Sequence, residues 1–195
     1  MPQSLLHPVI LAVPASDLAL ERREKVKALG RRARSALDQS ARLSGWPLDL
    51  QRLEKGELGA PIPQGDIHWS LSHKELFVAA VAAPHPVGID IEMIKPVQDG
   101  LYERIGDDAE WSLAGGKNPE NFFRYWTAKE AVLKAVGKGM TGLSHCRVVG
   151  EAKDNNVQLM FQSMPWMVIH HWVDDRHLVA LTTRGDPISW HMVTE

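Results

Sequence analysis

Two carboxylate side chains stand two residues apart in the segment Gly88-Ile89-Asp90-Ile91-Glu92. Side chains alternate between the two faces of a strand, so Asp90 and Glu92 are predicted to share one face, while Ile89 and Ile91 point into the core. Two carboxylates on one face repel each other unless a cation lies between them, and hard oxygen ligands suit Mg²⁺. The alternative is two exposed acids on the wet face of an edge strand, and this segment alone does not decide between the two.

A second group of chemically capable residues follows Asn118-Pro119, a capping residue with proline at the first helical position. Glu130 and Lys134 lie four residues apart, so they share one face of the predicted helix. Trp126 stands one turn before Glu130 and indicates that this face is at least partly covered. The alternative is a surface ion pair between Glu130 and Lys134, worth about 0.3–0.5 kcal/mol.

A third group is Ser70-Leu71-Ser72-His73, where a predicted strand runs into a loop. Binding residues are often placed on loops by a rigid scaffold. His73 could donate a hydrogen bond to a phosphate oxygen, although a lone histidine is more often structural or simply exposed.

The charge of the chain is unevenly distributed. Its net charge is only -2, but residues 21–34 hold seven basic side chains and two acidic ones. The basic residues are Arg22, Arg23, Lys25, Lys27, Arg31, Arg32 and Arg34. A local field of this kind suits a phosphate-rich small molecule or an acidic protein surface. The alternative is an ordinary solvated helix face.

The elements that must position these groups can be predicted from capping residues and hydrophobic patterns. One helix is predicted from Ser16 to Ser44 with Gly45 as its stop, and a second ends at Gly137. Strands are predicted at 67–72, 76–83, 87–94, 166–173 and 176–183, with the first three forming an antiparallel meander and Asp174-Asp175 joining the last two. Ile67-His68 and Ile169-His170 each precede an apolar strand, which indicates an internal duplication and an α+β fold of two similar lobes.

Bulk composition favours a single soluble, globular protein. The 195 residues are 44% hydrophobic and 24% charged, and they suffice for one core or for two small lobes. Cys146 is the only cysteine, so no internal disulfide and no zinc site built on cysteines is expected. No secretory signal, membrane span or overall basic charge is evident, so we expect a cytoplasmic protein that binds neither membrane nor nucleic acid.

Taken together and in order, the motifs S-x-S-H, G-I-D-I-E and W-x-x-K-E-A-x-x-K resemble the 4'-phosphopantetheinyl transferase family, the holo-acyl-carrier-protein synthases. The resemblance implies transfer of phosphopantetheine from coenzyme A to a serine of an apo acyl or peptidyl carrier protein, with Mg²⁺, and release of 3',5'-ADP. The chain length resembles the class that is monomeric and two-lobed. This class implies lobes at 1–95 and 96–195 with the active site in the cleft between them.

The resemblance also implies roles for individual residues. Asp90, Glu92 and Glu130 would hold Mg²⁺, and Glu110 is a further candidate ligand. Glu130 and Lys134 would be catalytic, with Glu130 accepting the serine proton directly or through water and Lys134 neutralising charge on the leaving phosphate.

Coenzyme A would be bound by residues from several segments. The residues that the resemblance assigns to it are Ser72, His73, Asp90, Lys134, Arg31, Arg22 and Arg23. We expect a division within the basic stretch, in which some of Arg22, Arg23 and Arg31 face the cleft and others steer an acidic carrier. The sequence departs from the family at Ala60, where the family often has a lysine that meets the nucleotide, and at Lys74, where it often has a small polar residue.

Two other functions agree with part of the pattern. A magnesium-dependent nuclease or phosphodiesterase could use the same carboxylates and lysine on a phosphodiester. A non-catalytic module could dock an acidic protein through its basic helix, and it would show no metal dependence.

Overall fold

A computed structural model describes residues 4–150 and 154–193. The α+β prediction is confirmed, since two sheets are each covered by one long helix. The helices are α1 (Ala15–Leu18), α2 (Arg22–Ser44), α3 (Asp99–Ile105), α4 (Asp108–Leu113) and α5 (Pro119–Val136), with 3-10 turns at Leu50–Arg52 and Gly139–His145. The strands are β1 (Val9–Ala12), β2 (His68–Lys74), β3 (Phe77–Ala83), β4 (Ile89–Met93), β5 (Cys146–Val148), β6 (Asn156–Phe161), β7 (Met164–Trp172), β8 (His177–Thr183) and β9 (His191–Val193).

The ends of the two long helices follow local chemistry. Gly45 and Gly137 adopt left-handed conformations with φ of 71° and 70°, as a C-terminal cap requires. Asn118 accepts a hydrogen bond from the backbone N of Asn121, and Pro119 is the first helical residue of α5. The predicted stops of both helices and the predicted start of α5 are therefore confirmed.

The start of the first long helix differs from the prediction. Ser16 does not cap it but lies inside the short α1, whose N-cap is Pro14. The long helix begins only at Arg22, after Glu21, whose side chain makes no capping hydrogen bond. The helical pattern of apolar residues runs across both helices and does not reveal the break.

The two sheets repeat one arrangement. The first has the order β2-β3-β1-β9, in which β1 and β9 are parallel and the other pairs antiparallel. The second is antiparallel throughout, with the order β4-β8-β7-β6-β5. In each, a strand precedes the long helix and then pairs with the last strand of a later hairpin: β1 with β3, and β4 with β8. This shared order agrees with the prediction of two similar lobes.

The strand pairing corrects the predicted meander. β4 does not continue a meander beside β3, because it pairs with β8, with Asp90 opposite Ala180. The link at Pro84-His85-Pro86 instead carries the chain from the first sheet to the second. Since β4 belongs to the second sheet and β9 to the first, the sheets do not divide at residue 95. Alternation along a strand predicts its faces, whereas its partner depends on contacts distant in sequence.

Three apolar cores hold these layers together. One lies between α2 and the first sheet, and a second between α5 and the second sheet. The third joins the two sheets and includes Ile10, Val81, Ile89, Ile91 and Leu181. Because Ile89 and Ile91 fill this third core, the other face of β4 turns toward α5.

Three further features relate to the sequence predictions. The hairpin between β7 and β8 forms, and Asp174 accepts hydrogen bonds from the backbone N of Arg176 and of His177. Cys146 is a buried free thiol, and burial raises its pKa to about 12. No helix in the described ranges combines the length and apolar character needed to cross a membrane.

Candidate active site

The site forms where β4 crosses beneath α5, and Gly88 permits that crossing. A Cβ placed on Gly88 would lie 1.8 Å from the carbonyl oxygen of Ala131 in α5. The absence of a side chain therefore lets the helix backbone rest directly on the start of β4. Glu130 and Lys134 stand one residue before and three after this contact, so they are held beside Asp90.

Asp90 lies at the centre of the site and is only 5% exposed. Its Oδ1 accepts hydrogen bonds from Ser72 Oγ at 2.8 Å and from Lys134 Nζ at 2.7 Å. Lys134 Nζ also donates to the carbonyl oxygen of Ile89 at 3.1 Å, which fixes the ammonium above the strand. The second oxygen, Oδ2, is buried and has no hydrogen-bond partner among the described residues.

Glu92 and Glu130 complete a group of three carboxylates with Asp90. Glu92 Oε2 forms a close ion pair with Lys74 Nζ at 2.6 Å, without the geometry of a hydrogen bond. Burial raises the pKa of Glu130, and the charge of Asp90 raises it further; Lys134 offsets part of this rise, and Glu92 adds to it. Glu130 is thus close enough to both other carboxylates to feel their charge.

The donor set suits a hard divalent cation, although no ready cluster of three metal ligands is present among residues 4–150 and 154–193. Asp90 forms an ion pair with Lys134, and Glu92 forms one with Lys74. These lysines supply the positive charge that offsets the repulsion between the two carboxylates. The unpartnered Asp90 Oδ2 is the kind of buried atom that a cation would satisfy. The residues therefore fit Mg²⁺, provided that at least one lysine gives way.

Two adjoining pockets open beside this group. The central pocket includes Glu130 and Lys134 on one wall and the loop residues Lys55 and Ala60 on the other. The basic pocket is a cavity of about 580 Å³ and is walled by α2 and β2. Its charged and polar lining consists of Lys27, Arg31, Arg34, Lys55 and His73. A volume of this size accommodates a nucleotide, and the lining favours an anion.

His73 lines the basic pocket, but charged groups that line the central pocket also affect its pKa. Burial lowers its pKa, and the nearby charges of Lys134 and Lys55 lower it further, with a backbone hydrogen bond acting in the opposite direction. The imidazole is therefore neutral at physiological pH when the pocket is empty. A neutral ring still carries one N–H that can donate to a phosphate oxygen.

The basic helix divides between two surfaces. Arg31 lines the basic pocket together with His73. Arg22 and Arg23 instead border a shallow open surface at the start of α2 with Val26. They are not brought to the pocket that holds His73.

Glu110, the further candidate ligand, lies in a different environment. It is 2% exposed, and its Oε1 accepts hydrogen bonds from Lys129 Nζ at 2.7 Å and from the backbone N of Val148 at 2.8 Å. Its Oε2 lies 3.2 Å from Arg147 Nε and accepts a hydrogen bond from the backbone N of Asp107. Both oxygens are thus engaged in holding α4, α5 and β5 together, and the structure shows no contact between Glu110 and Asp90.

A third pocket, the apolar pocket, begins at Glu92 and Lys74 on the opposite side of the site. Its floor is aromatic and its rim carries cations, with Lys95, Arg104, Phe122, Phe123 and Trp126 among its lining residues. Met140 lines both the apolar and the central pocket, so the two adjoin. Trp126 is partly buried against the core between α5 and the second sheet, so this face of α5 is partly covered, as predicted.

Comparison with known proteins places this arrangement in a family. A family model described as the 4'-phosphopantetheinyl transferase superfamily matches residues 86–192, which is more than half of the chain. The chain belongs to the 4'-phosphopantetheinyl transferase superfamily. The match covers β4 with Asp90 and Glu92 and all of α5 with Glu130 and Lys134. The part of the chain that supplies the basic pocket lies before it.

Individual phosphopantetheinyl transferases are similar over parts of the chain. The transferase gsp of Aneurinibacillus migulanus is 39% identical over 90 residues, which are 44% of this chain and 38% of that protein. HetI of a Nostoc species is 30% identical over 154 residues, 73% of this chain and 64% of that protein. The transferase psf-1 of Bacillus pumilus is 31% identical over 131 residues, 64% of this chain and 56% of that protein. The chain thus spans less than two thirds of each of these relatives.

The structure brings together most, but not all, of the residues singled out in the sequence. Those that share the site are Ser72, His73, Asp90, Glu92, Glu130, Lys134 and Arg31. Ser72 acts on Asp90 by a hydrogen bond rather than lying in a pocket of its own. Lys55 was not predicted as a pocket residue, because no motif surrounds it in its Gly- and Pro-rich loop.

Proposed function

We propose that this protein transfers 4'-phosphopantetheine from coenzyme A to a serine of an apo acyl or peptidyl carrier protein and releases 3',5'-ADP. The observation that carries the proposal is the placement of Asp90, Glu92 and Glu130 with Lys134 at the central pocket, which adjoins a basic pocket of nucleotide size. Family membership supports the reaction class. A cytoplasmic monomer acting without nucleic acid or membrane remains our prediction.

Coenzyme A carries a pyrophosphate and a ribose phosphate, and the two adjoining pockets suit these two groups. The 3'-phosphate end would occupy the basic pocket near Arg31 and Arg34. The pyrophosphate would then lie in the central pocket, where Lys134 faces it and His73 can donate to an oxygen. This orientation places the β-phosphorus next to Glu130.

Asp90, Glu92 and Glu130 would hold Mg²⁺, because the charges of Asp90 and Glu92 both act on Glu130 and because Asp90 Oδ2 has no hydrogen-bond partner among the described residues. When bound, Mg²⁺ would neutralise charge on the pyrophosphate and orient it for displacement. Ser72 keeps Asp90 in position through its hydrogen bond to Oδ1.

The transfer itself is a displacement at phosphorus. The serine oxygen of the carrier forms a bond to the β-phosphorus, and the bond from that phosphorus to the 3',5'-ADP oxygen breaks. The serine proton passes to Glu130 directly or through water, and the raised pKa of Glu130 makes it a better acceptor than an ordinary carboxylate. Lys134 neutralises the charge that develops on the leaving phosphate.

Product analysis tests the proposal against the nuclease alternative. The protein is incubated with Mg²⁺ and either coenzyme A plus an apo-carrier protein, or DNA, or RNA, and the products are separated by chromatography. We expect 3',5'-ADP only in the first mixture, and only when both the carrier and Mg²⁺ are present. Cleavage of nucleic acid without 3',5'-ADP release would support the nuclease instead.

Replacing Lys74 is expected to strengthen metal binding. The ammonium of Lys74 neutralises Glu92 at 2.6 Å in a half-buried setting, so Mg²⁺ must displace it to use that carboxylate. We expect Lys74→Ser to tighten Mg²⁺ binding by about fivefold, equivalent to about 1 kcal/mol. Titration calorimetry of the protein with Mg²⁺ alone measures the effect.

The matched control for this experiment is Lys117→Ser. Lys117 also forms an ion pair, with Glu103, but it lies outside the site. Weaker or unchanged Mg²⁺ binding by Lys74→Ser would show that Glu92 and Lys74 do not compete for a cation.

The start of α2 is expected to steer the carrier protein, which the family resemblance implies to be acidic. Arg22 and Arg23 face open solvent rather than the basic pocket, so their charge remains available to a partner. Charge steering acts mainly on association and is screened beyond ~8 Å at physiological salt. We therefore expect added salt, or Arg22→Glu at low salt, to raise KM for the carrier more than it changes kcat.

Arg42→Glu serves as the control, since Arg42 is also exposed but lies near the other end of α2, paired with Asp38. Equal effects of Arg22→Glu and Arg42→Glu would indicate that the overall charge of α2, and not its first turn, attracts the carrier. No effect of salt or of Arg22→Glu would show that docking is mainly apolar.

A further inference from the structure

A short hairpin covers one side of the central pocket. The backbone N of Gly56 donates to the oxygen of Ala60 at 2.9 Å, and that of Ile62 to the oxygen of Glu54 at 3.0 Å. Gly59 has a φ of 75°, which a tight turn of this kind requires. The two strands of the hairpin are therefore fixed in register, with Lys55 paired across from Pro61.

This hairpin rests on the end of α5. A Cβ on Gly137, the C-terminal cap of α5, would lie 3.4 Å from the Cβ of Ala60, and one on Gly139 would lie 3.6 Å from the Cβ of Leu58. The hairpin thus bridges the first lobe and the helix that carries Glu130. Packing of the hairpin against the end of α5 therefore fixes the position of the hairpin relative to Asp90, Glu92 and Glu130.

Lys55 holds a distinctive position on this hairpin. It lines both the central and the basic pocket. Its ammonium makes no ion pair or hydrogen bond with any residue that the structure describes. Most other lysines around the site have partners there: Lys134 pairs with Asp90, and Lys74 with Glu92. Lys55 is thus an exposed cation at the junction of the two pockets, and no carboxylate in the described part of the chain pairs with it.

The charge of Lys55 acts at this junction. It lowers the pKa of His73, in the same direction as Lys134, after the larger effect of burial. Three potential phosphate-binding groups therefore surround the boundary between the pockets: His73, Lys55 and Lys134. An anion bound among them would relieve the repulsion between the two ammonium groups of Lys55 and Lys134 and could accept a hydrogen bond from His73.

We propose that Lys55 binds a phosphate of coenzyme A where the central and basic pockets meet. It supplies there, from the first strand of the hairpin, the positive charge that Ala60 on the second strand lacks. This inference rests on the proposed function, because it concerns the same substrate. It adds a binding residue that no motif in the sequence indicates.

Removal of Lys55 tests the proposal by binding rather than by turnover alone. We expect Lys55→Ala to weaken coenzyme A binding by about tenfold, as measured by titration calorimetry with Mg²⁺ present, because a charged hydrogen bond to phosphate is lost. KM for coenzyme A should rise to a similar extent, while KM for the carrier protein should not change. Arg52→Ala is the control, since Arg52 lies in the same loop, is exposed and lines neither pocket.

A second variant tests whether the lost affinity reflects the missing charge or a change in the structure of the hairpin. Ala60 lines the central pocket, so Lys55→Ala combined with Ala60→Lys returns a lysine to the hairpin. We expect the double variant to recover most of the lost affinity. Unchanged affinity in Lys55→Ala, with the unaltered protein binding normally, would overturn the assignment of Lys55. Failure of the unaltered protein to bind coenzyme A would instead overturn the proposed function.

Discussion

Asp90→Asn is expected to lower the rate of transfer by about 1,000-fold while leaving the fold intact. The amide oxygen of asparagine can still accept from Ser72 and Lys134, as Oδ1 of Asp90 does. The amide NH₂ then replaces Oδ2, the buried oxygen that has no hydrogen-bond partner within residues 4–150 and 154–193. A donor at that place would repel a cation instead of binding it. Transfer is followed with coenzyme A and an apo-carrier, and the fold is checked by thermal unfolding.

The control is Asp66→Asn, which removes an exposed carboxylate from a loop outside the site. It should leave the rate of transfer unchanged. A rate in Asp90→Asn within a few fold of the unaltered protein would show that the three carboxylates do not form the active site.

Gly88→Ala is expected to disrupt both stability and activity. The added Cβ would overlap the carbonyl of Ala131 at 1.8 Å and approach the backbone N of Ala135 at 2.9 Å. Since backbone atoms cannot rotate away, α5 must move off β4. We expect a loss of about 3 kcal/mol in the free energy of unfolding, measured by chemical denaturation. Turnover of the folded fraction should fall by about 100-fold, because Glu130 is displaced from Asp90.

Gly100→Ala provides the matched control. A Cβ on Gly100 meets nothing within 4 Å in the short helix α3, so the free energy of unfolding should change by no more than about 1 kcal/mol. Full activity in Gly88→Ala would mean that close contact between β4 and α5 is not what aligns the site.

The parts of the fold predicted correctly from the sequence are those that local chemistry determines. Asn118 caps the start of α5. Gly45 and Gly137 end the two long helices because the backbone is left-handed there, a conformation that glycine adopts without strain. Likewise, strict alternation placed Asp90 and Glu92 on the face away from Ile89 and Ile91, which occupy the core between the sheets.

The pairing of strands could not be predicted in the same way. β4 pairs with β8, some 90 residues later, and β9 returns to β1 in the first sheet. Nothing in the residues of β4 identifies that partner, since Ile89 and Ile91 would bury equally well beside β3. The meander prediction is wrong because strands that are adjacent in sequence need not be adjacent in a sheet.

Site residues could be predicted where they belong to a recognisable sequence motif. They could not be predicted where their role depends on a partner that is distant in sequence. The spacing of Glu130 and Lys134 predicts that they share one helix face, and the family resemblance then implies that they belong to the site. The buried pair of Glu110 with Lys129 was not predicted, because it joins α4 to α5 across 19 residues of chain. Lys55 is similar: its role depends on how its hairpin packs against α5, which no local pattern reveals.

The most direct test of the account is intact-protein mass spectrometry of apo-carrier proteins from fatty-acid, polyketide and peptide synthesis after incubation with this protein, coenzyme A and Mg²⁺. Peptide mapping then locates any modification. We expect one phosphopantetheine group to be added to one serine of at least one carrier, only when Mg²⁺ is present and not with Asp90→Asn. No mass increase on any carrier, from folded protein that binds coenzyme A, would contradict the proposed function.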